Sequence, residues 1–531
     1  MAQPAVVALI GLGLLTGSCG DSTEQGKVGY VEGFYGAVVA DEPRAAETGR
    51  DVLTSGGNAV DAAVATYFAL AVTLPSSASL GGGGVCIVHN RVAKKVEAIT
   101  FLPRATGGPL PMATPANARG MALLHIGRGV FRWEEVVAPG EKLARFGTPV
   151  SRAFARDLGL AARNLAQDPN ARRVFFRPDG TVMQEGDNLV QPGLAGVLGA
   201  IRAKGAGDLS SGQAAREFIT GVRPIGGIVT IDEMRDTVPV AANPVQIKIG
   251  NDLASFPAPP VGGGVLSGEL WQLVASYGNV GGASTTIQHV IAEMSKRAYA
   301  DRSNWLDSAD RFVEDPAAIL SEARLRQWAA GFGNQATPVG SLPRPALQRP
   351  ADPPAVASWL AVDRFGNAVA CSVTTFGIFG VGGRVAGDTG IVVAAPPALT
   401  GRGAASLTPV LVANPNTGDL TFAGAASGGT PAAAALVQTM ALAFLAKMPL
   451  ANAMAAPRTL HVGAPDVVYL EPGDGVIAGD LRGRGHAVQD LGPLGNLVAF
   501  YCSEGVRARS STCQAAADKR GYGLALSSYQ R

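Results

Sequence analysis

Charge is scarce in this chain. Only 16% of its 531 residues are charged, and 44 Lys and Arg nearly balance 42 Asp and Glu, which leaves a net charge of +2. A field this weak cannot recruit the phosphates of nucleic acid, so we exclude nucleic acid as a partner. Histidine and cysteine are also rare, with five of each. Because none of their spacings is typical of metal ligands, we predict neither a metal centre nor another cofactor.

No apolar run near the N-terminus is long enough to span a bilayer, although residues 5–15 form a short one. The small residues 16–18 and Cys19 follow it, and this order resembles a lipobox, in which the cysteine becomes lipidated after cleavage. We therefore predict a signal segment over residues 1–19 and a polar tether over 20–27. Export to the periplasm follows, with membrane contact only through a lipid on Cys19. A plain signal peptide is the alternative, since no Lys or Arg precedes the apolar run.

The other four cysteines fall into two groups. Cys86 and Cys371 lie in apolar segments, and we predict that both are buried and unpaired. Cys502 and Cys513 flank a short polar loop. In an oxidising compartment these two could pair and fix the C-terminal tail, and the sequence leaves that pairing open.

Residues 355–369 predict a β-hairpin, because two apolar runs enclose a polar turn that contains Gly366. Residues 57–73 predict a helix that is apolar on nearly every face and therefore buried. Residues 143–165 also predict a helix. Repeated prolines over residues 333–354 indicate an exposed linker. Strands, hairpins and helices in this order favour an α+β fold.

Several of these segments, in this order along the chain, resemble the γ-glutamyltransferases, a family of N-terminal-nucleophile hydrolases. The segments that carry the resemblance are residues 46–65, 81–84, 259–264, 298–302, 406–409, 427–429 and 456–458, together with the hairpin. The resemblance implies a four-layer αββα sandwich and a small-molecule or peptide ligand. It also implies a large-subunit-like region over residues 28–354 and a small-subunit-like region with a C-terminal tail over 355–531, separated in the family by self-cleavage.

The hairpin lacks the residue on which the family's chemistry depends. The resemblance places a nucleophilic Thr at the first residue of the hairpin's first strand, and that position is Val356, which has no nucleophilic atom. Ser358 is the only hydroxyl nearby, two residues further along the same strand face. Chemistry there would need a cut between Ala357 and Ser358 and a site shifted by roughly 7 Å.

Other positions match the family's site. By resemblance, Arg104 and Ser406 bind the carboxylate of a γ-glutamyl group, and Thr374 steadies the nucleophile. Gly428 and Gly429 match the backbone amides of the oxyanion hole. The glycines and Arg104 also have a plainer interpretation: a tight turn needs glycine in any case, and Arg104 could be an ordinary surface residue.

Three further positions have lost the polar side chain that the resemblance implies. Phe376 stands where an Asn is expected, Leu399 where a carboxylate should bind the substrate's ammonium, and Ala405 where a Ser is expected. Removing a charged partner for a buried ammonium costs several kcal/mol of binding, which argues against a γ-glutamyl substrate.

Three functions remain open. The first is an exported, non-catalytic homologue that serves as a binding or structural module. The second is an active amidohydrolase or acylase that acts through Ser358 after self-cleavage. The third is an ordinary γ-glutamyl transferase of the glutathione hydrolase type. The loss at Val356 favours the first, and the apolar replacements favour the second over the third.

Overall fold

The computed structural model describes residue 1 and residues 34–278, 284–308, 311–349, 351–352, 354–397 and 407–529. The signal segment, the tether and Cys19 lie outside the described residues apart from Met1. Leu399, Ala405 and Ser406 lie outside them as well.

Two antiparallel sheets form the centre of the molecule. The first has seven strands, in the spatial order Leu524–Tyr529, Phe34–Ala40, Val356–Asp363, Ala368–Thr374, Gly83–Asn90, Lys95–Phe101 and Val240–Ala242. The second has six, in the order Cys513–Ala517, Asn496–Cys502, Leu420–Ser427, Val410–Ala413, Asp252–Phe256 and Val245–Ile249. Strands from both sides of residue 355 pair within each sheet, so the two predicted regions build one body.

Apolar side chains of alternating strand residues fill the space between the sheets. Leu360 and Val362 of the first sheet meet Leu411, Ala423 and Phe500 of the second. Residues of opposite parity on the same strands, such as Trp359 and Ala361, instead join the core that the first sheet forms with its helices. This alternation is the normal consequence of strand geometry. It makes both faces of the central strands apolar.

Helices cover the outer face of each sheet. The helices on the side of the first sheet are Pro43–Thr54, Ala59–Thr73, Pro75–Ala78, Asn117–His125, Trp133–Phe146, Arg152–Leu165, Pro169–Phe175, Pro192–Lys204, Asp208–Ser211, Gln213–Val222 and Ile231–Asp236. Those on the side of the second sheet are Gly262–Ser276, Ser284–Trp305, Pro316–Ile319, Glu322–Ala329, Ala432–Phe444, Leu450–Ala455 and Gly475–Gly483. The α+β class and the four-layer αββα sandwich are confirmed. Within the described residues, no helix is long and apolar enough to cross a bilayer.

Of the two helix predictions, one is confirmed and one is wrong. The predicted buried helix is confirmed as Ala59–Thr73, with every residue buried, and Asn58 caps its N-terminus. The helix predicted over residues 143–165 is wrong as a single element. The chain forms Trp133–Phe146 and Arg152–Leu165 instead, because Gly147 has a φ of +91° and Pro149 follows it.

The cysteine prediction also needs a correction. Cys86 and Cys371 are buried but form a disulfide, since they face each other across neighbouring strands with Cα atoms 4.1 Å apart. Cys502 and Cys513 form a second disulfide, also between paired strands. Four of the five cysteines are therefore paired. The fifth is Cys19.

The predicted linker leads into the first strand of the hairpin. From residue 333 to 349 the chain is largely exposed, with only a short turn of 3-10 helix at Val339–Ser341. Asp352 is buried and forms a two-pronged ion pair with Arg302, and its backbone N–H donates to the hydroxyl of Thr430. These contacts fix the chain just before Val356.

Candidate functional site

The hairpin places Val356 at the head of its strand, directly opposite Thr374. The hydroxyl of Thr374 donates a 2.6 Å hydrogen bond to the carbonyl oxygen of Ala355, and it accepts one of 2.8 Å from the N–H of Phe376. Thr374 therefore holds the peptide bond that precedes Val356. Phe376 has a φ of +59°, a conformation that asparagine tolerates better than phenylalanine.

The side chain of Val356 is packed among apolar neighbours. Val85, Val261 and Leu407 form its cluster, and Val356 is only 5% exposed. Nothing in this cluster could act as a nucleophile or polarise one.

Ser358 lies deeper in the same strand and is fully buried. Its hydroxyl oxygen is 3.1 Å from that of Ser372 on the neighbouring strand. Its backbone N–H donates to Oδ2 of Asp41 at 2.8 Å, and its carbonyl oxygen accepts from the N–H of Asp41 at 3.1 Å. Strand pairing thus holds Ser358 on both sides, away from the cavity described below.

Gly428 and Gly429 form the turn between the strand Leu420–Ser427 and the helix Ala432–Phe444. Their φ values are +101° and +78°, and a Cβ atom on Gly428 would lie 2.9 Å from the Cα of Gly495. The turn therefore requires glycine. In the described part of the chain, neither glycine N–H has a hydrogen-bond acceptor. Gly428 is partly exposed and Gly429 is buried, so Gly428 is the better candidate to donate to an oxyanion or a carbonyl group.

Arg104 is not part of this arrangement. Its side chain is exposed and forms no ion pair with any residue that the structure describes. Its backbone is paired with Thr114: the Arg104 N–H donates to the Thr114 hydroxyl at 3.0 Å, and the Arg104 carbonyl oxygen accepts from the Thr114 N–H at 2.9 Å. Ser406, the other predicted carboxylate ligand, lies outside the described residues.

A cavity of about 350 Å³ opens at the head of the Val356 strand. Gly428 borders it, whereas Ser358, Thr374 and Arg104 do not. The apolar side chains that line it include Leu74, Ala153, Leu160, Val356, Ile378 and Tyr522. The polar ones are Asp41, Ser77, Arg156, Asp157, Ser427, Asn496 and Arg520. We call this space the strand-head cavity.

Comparison with protein families decides the chain's membership. The family model described as gamma-glutamyltranspeptidase matches residues 45–395 and 400–528. The chain belongs to the γ-glutamyltranspeptidase family. It is 31% identical over 388 residues to the glutathione hydrolase proenzyme of Escherichia coli strain K12, a match that covers 68% of this chain and 66% of that protein. It is 27% identical over 542 residues to the glutathione hydrolase proenzyme of Pseudomonas aeruginosa, covering 92% and 94% respectively.

Solved structures give the same fold. The crystal structure of a cephalosporin acylase from Bacillus halodurans superposes with a TM-score of 0.80, covering 94% of this chain and 97% of that one. Sequence identity in this pair is 20%, so the similarity shows a common fold only.

Nothing in the sequence singles out Asp41, which lines the strand-head cavity of this γ-glutamyltranspeptidase homologue. Burial raises the pKa of its carboxyl group from 3.8 to about 7, and hydrogen bonds from the Ser358 amide, Ser427 and Asn496 offset part of that rise. Asn496 donates from Nδ2 to Oδ1 of Asp41 at 2.7 Å and to the hydroxyl oxygen of Ser427 at 3.3 Å. An acid with a pKa near neutrality can exchange protons under physiological conditions.

No sequence motif marks these groups, because they come together only through the pairing of distant strands. Asp41 follows the strand Phe34–Ala40, and Asn496 pairs with Ser427 on the second sheet. Among the described residues, no group of three or more His, Cys, Asp or Glu side chains is arranged to hold a metal ion.

Proposed function

We propose that this member of the γ-glutamyltranspeptidase family is an exported, non-catalytic homologue that serves as a binding or structural module. The observation that carries the proposal is the position of Val356. It stands at the head of the hairpin strand where the resemblance puts the nucleophile, and its side chain packs with Val85, Val261 and Leu407. An N-terminal-nucleophile hydrolase needs a hydroxyl or thiol there, both to cut its own chain and to attack substrate.

Other losses support the same function. Phe376 occupies a left-handed backbone position where the resemblance implies an asparagine. Leu399 and Ala405 remove a carboxylate and a hydroxyl from the implied γ-glutamyl site. Arg104 alone, exposed and outside the strand-head cavity, would not hold an amino acid in place.

The disulfides support export. Cytosolic thiols are normally kept reduced, whereas disulfides persist in the periplasm and outside the cell. Pairing of Cys86 with Cys371 and of Cys502 with Cys513 leaves Cys19, in the lipobox-like segment, as the remaining cysteine. We therefore propose a periplasmic protein that a lipid on Cys19 attaches to the membrane.

The purified mature protein should be tested on a denaturing gel, with the mass of each band measured. A single chain that includes residues 355 and 356 without a break is the expected result. The purified protein should also release no p-nitroaniline from γ-glutamyl-p-nitroanilide. Two fragments, or steady turnover of this substrate, would overturn the proposal.

One observation favours the alternative, an active amidohydrolase, acylase or γ-glutamyl transferase that uses Ser358. If the chain were cut after Ala357, the new α-amine of Ser358 would lie 2.8 Å from Oδ2 of Asp41, which could hold it in place. A smaller fragment beginning at Ser358, together with loss of cleavage in Ser358→Ala, would establish this mechanism. Any other cleavage site would reject it.

A further inference from the structure

A groove of about 1320 Å³ lies among the helices on the side of the first sheet, and it shares no lining residue with the strand-head cavity. Most of its lining comes from three helices and a loop: Pro169–Phe175, Pro192–Lys204, Gln213–Val222 and residues 384–389. We call this space the helix groove. Its volume exceeds the range of about 300–1,000 Å³ that is typical of pockets for drug-sized molecules, so it suits a segment of a polymer.

Close backbone contacts hold one wall of the groove in place. The loop that contains Asp388 packs so tightly on the helix Pro192–Lys204 that a Cβ atom on Gly193 would collide with the Asp388 carbonyl oxygen. In the same loop, the backbone N–H of Val385 donates at 2.7 Å to Oδ2 of Asp168, which is fully buried. The groove is therefore shaped before a ligand arrives, which lowers the cost of binding.

One face of the helix Gln213–Val222 lines the groove with polar side chains. Residues three and four positions apart share a helix face. Four exposed residues at these spacings border the groove: Gln213, Arg216, Glu217 and Thr220. The opposite face, which includes Ala214 and Phe218, is buried in the core. Core packing thus fixes the polar face toward the groove.

Two arginines of the groove have no acceptor for their side chains. Within the described chain, the guanidinium groups of Arg216 and Arg384 form no hydrogen bond and no ion pair. Arg173, the third arginine of the groove, is already paired with Asp388 at 2.7 Å. A guanidinium group can bind a carboxylate through two parallel hydrogen bonds. The groove therefore offers two positions for carboxylates of a ligand.

The remaining groups of the groove select among classes of anion. Glu217 accepts from Nε2 of Gln213 at 2.9 Å and has no cationic partner in the part of the chain that the structure describes. Its charge repels a ligand that is anionic along its whole length, such as polyphosphate, whereas it can accept from a peptide N–H group. Pro224 and Ile225 add an apolar wall for aliphatic side chains. This combination favours a peptide.

We propose that the helix groove binds an extended acidic peptide, whose carboxylates pair with Arg216 and Arg384 and whose aliphatic side chains pack on the wall at Pro224 and Ile225. This inference rests on the proposed binding function and assigns it a ligand class. The site is separate from the positions that resemble the family's catalytic centre, because neither Val356 nor Gly428 lines the groove.

Binding should be measured by fluorescence anisotropy on the full mature protein at about pH 7 and low salt. A fluorescein-labelled peptide of four Glu-Ala repeats with blocked ends should bind at least about tenfold more tightly than the matching Gln-Ala peptide, because only the first carries carboxylates for the two arginines. Equal affinity for the two peptides, or no binding of the acidic one, would overturn the proposal. Tripolyphosphate and trigalacturonate should compete more weakly than unlabelled acidic peptide, and equal or stronger competition by either would reject a peptide as the ligand.

Charge-neutralising substitutions test the two arginines. Arg216→Gln and Arg384→Gln should each weaken the acidic peptide about tenfold, since each removes a charge-assisted hydrogen bond. Arg482→Gln is the matched control, because Arg482 is exposed on the helix Gly475–Gly483, forms no side-chain hydrogen bond or ion pair within the described residues and lies outside the groove. The control should bind as the wild type does. Unchanged affinity in both groove variants would refute the assignment.

A bulky substitution tests the location without changing charge. Gly196 is an exposed helical residue that lines the groove, and a Cβ atom there would have no described neighbour within 4 Å. Gly196→Trp should therefore fold, fill the groove and abolish binding. Gly479→Trp is the control, because Gly479 is an equally open helical glycine outside the groove. Full binding by Gly196→Trp with an unchanged denaturation midpoint would place the peptide elsewhere.

The failure of this inference differs from the failure of the proposed function. An uncut, inactive chain that binds the two peptides equally would refute the ligand class alone. A chain that cuts itself or releases p-nitroaniline, and whose affinity for the acidic peptide still falls in Arg216→Gln, would refute the non-catalytic function and leave the ligand class standing.

Discussion

The hydroxyl of Thr374 donates a 2.6 Å hydrogen bond to the carbonyl oxygen of Ala355, the carbonyl group that precedes Val356. A donor in this place withdraws electron density from the carbonyl carbon and would stabilise an oxyanion formed there. The chain thus keeps a polarised peptide bond at the head of the hairpin strand while it lacks the atom that would attack it.

This relationship predicts the effect of Val356→Thr. The two side chains have nearly the same shape, so the substitution adds a hydroxyl beside a carbonyl group that Thr374 already polarises. We expect slow cleavage of the peptide bond before position 356, over hours to days, visible as two bands on a denaturing gel. Mass measurement of the smaller band should show that it begins at position 356.

Two controls accompany this experiment. Val85→Thr places the same hydroxyl in the same apolar cluster but away from the peptide bond, and it should leave the chain intact. Adding Thr374→Val to Val356→Thr should stop the cleavage, because the donor to the Ala355 carbonyl is lost. An intact Val356→Thr chain after prolonged incubation would show that more than the nucleophile is missing.

The sequence predicted those parts of the fold that depend on local patterns. The hairpin is confirmed as Val356–Asp363 and Ala368–Thr374, because its apolar runs and Gly366 turn are encoded within a short stretch. The prediction of one helix over residues 143–165 was wrong because it gave helical periodicity more weight than Gly147 and Pro149, which interrupt the helix.

The candidate site was harder to predict because it depends on long-range register. Pairing of Cys86 with Cys371 requires two strands, 285 residues apart, to face each other in one register. Asp41 stands beside Glu42 in a segment that carries no functional motif, and its pKa is raised by burial that only the folded structure produces. The turn at Gly428 and Gly429 could be predicted from residue type alone. Which side chains border the strand-head cavity can be seen only in the folded structure.

Asp41 should make stability depend on pH. Its pKa is about 7 in the folded protein and 3.8 as the ordinary value, so the folded chain binds this proton more tightly. The contribution of this proton to the free energy of unfolding is fully present below about pH 3.8 and is lost as the pH rises to about 7. Between about pH 5 and pH 8, the wild type should lose about 2–3 kcal/mol more unfolding free energy than Asp41→Asn.

Denaturant unfolding at both pH values measures this difference. Asp490→Asn is a suitable control, because Asp490 is exposed on the strand Val488–Asp490, and it should follow the wild type. If Asp41→Asn and the wild type show the same pH dependence, the carboxyl group is not protonated in the folded protein near neutral pH.

The two disulfides should differ in their effect on stability. The Cys86–Cys371 bond closes a loop of 285 residues and the Cys502–Cys513 bond one of 11. On the chain-entropy account, the longer loop restricts the unfolded chain more, by about 3 kcal/mol. Replacing the first pair by alanines should therefore lower the denaturation midpoint more than replacing the second.

Thiol titration of the unfolded, unreduced wild type should find no thiol from either pair, and reactive thiols from Cys86 or Cys371 would contradict the first disulfide.

Lipid attachment at Cys19 predicts where the protein is found after cell fractionation. The thioether to the lipid needs the sulfur of Cys19, so the wild type should sediment with membranes and dissolve only in detergent. Cys19→Ser should move the protein out of the membrane fraction, and labelled palmitate should no longer be incorporated. Ser18→Gly keeps a small residue before the cysteine and should behave as the wild type. A wild type that is already free of membranes and unlabelled would refute lipid attachment at Cys19.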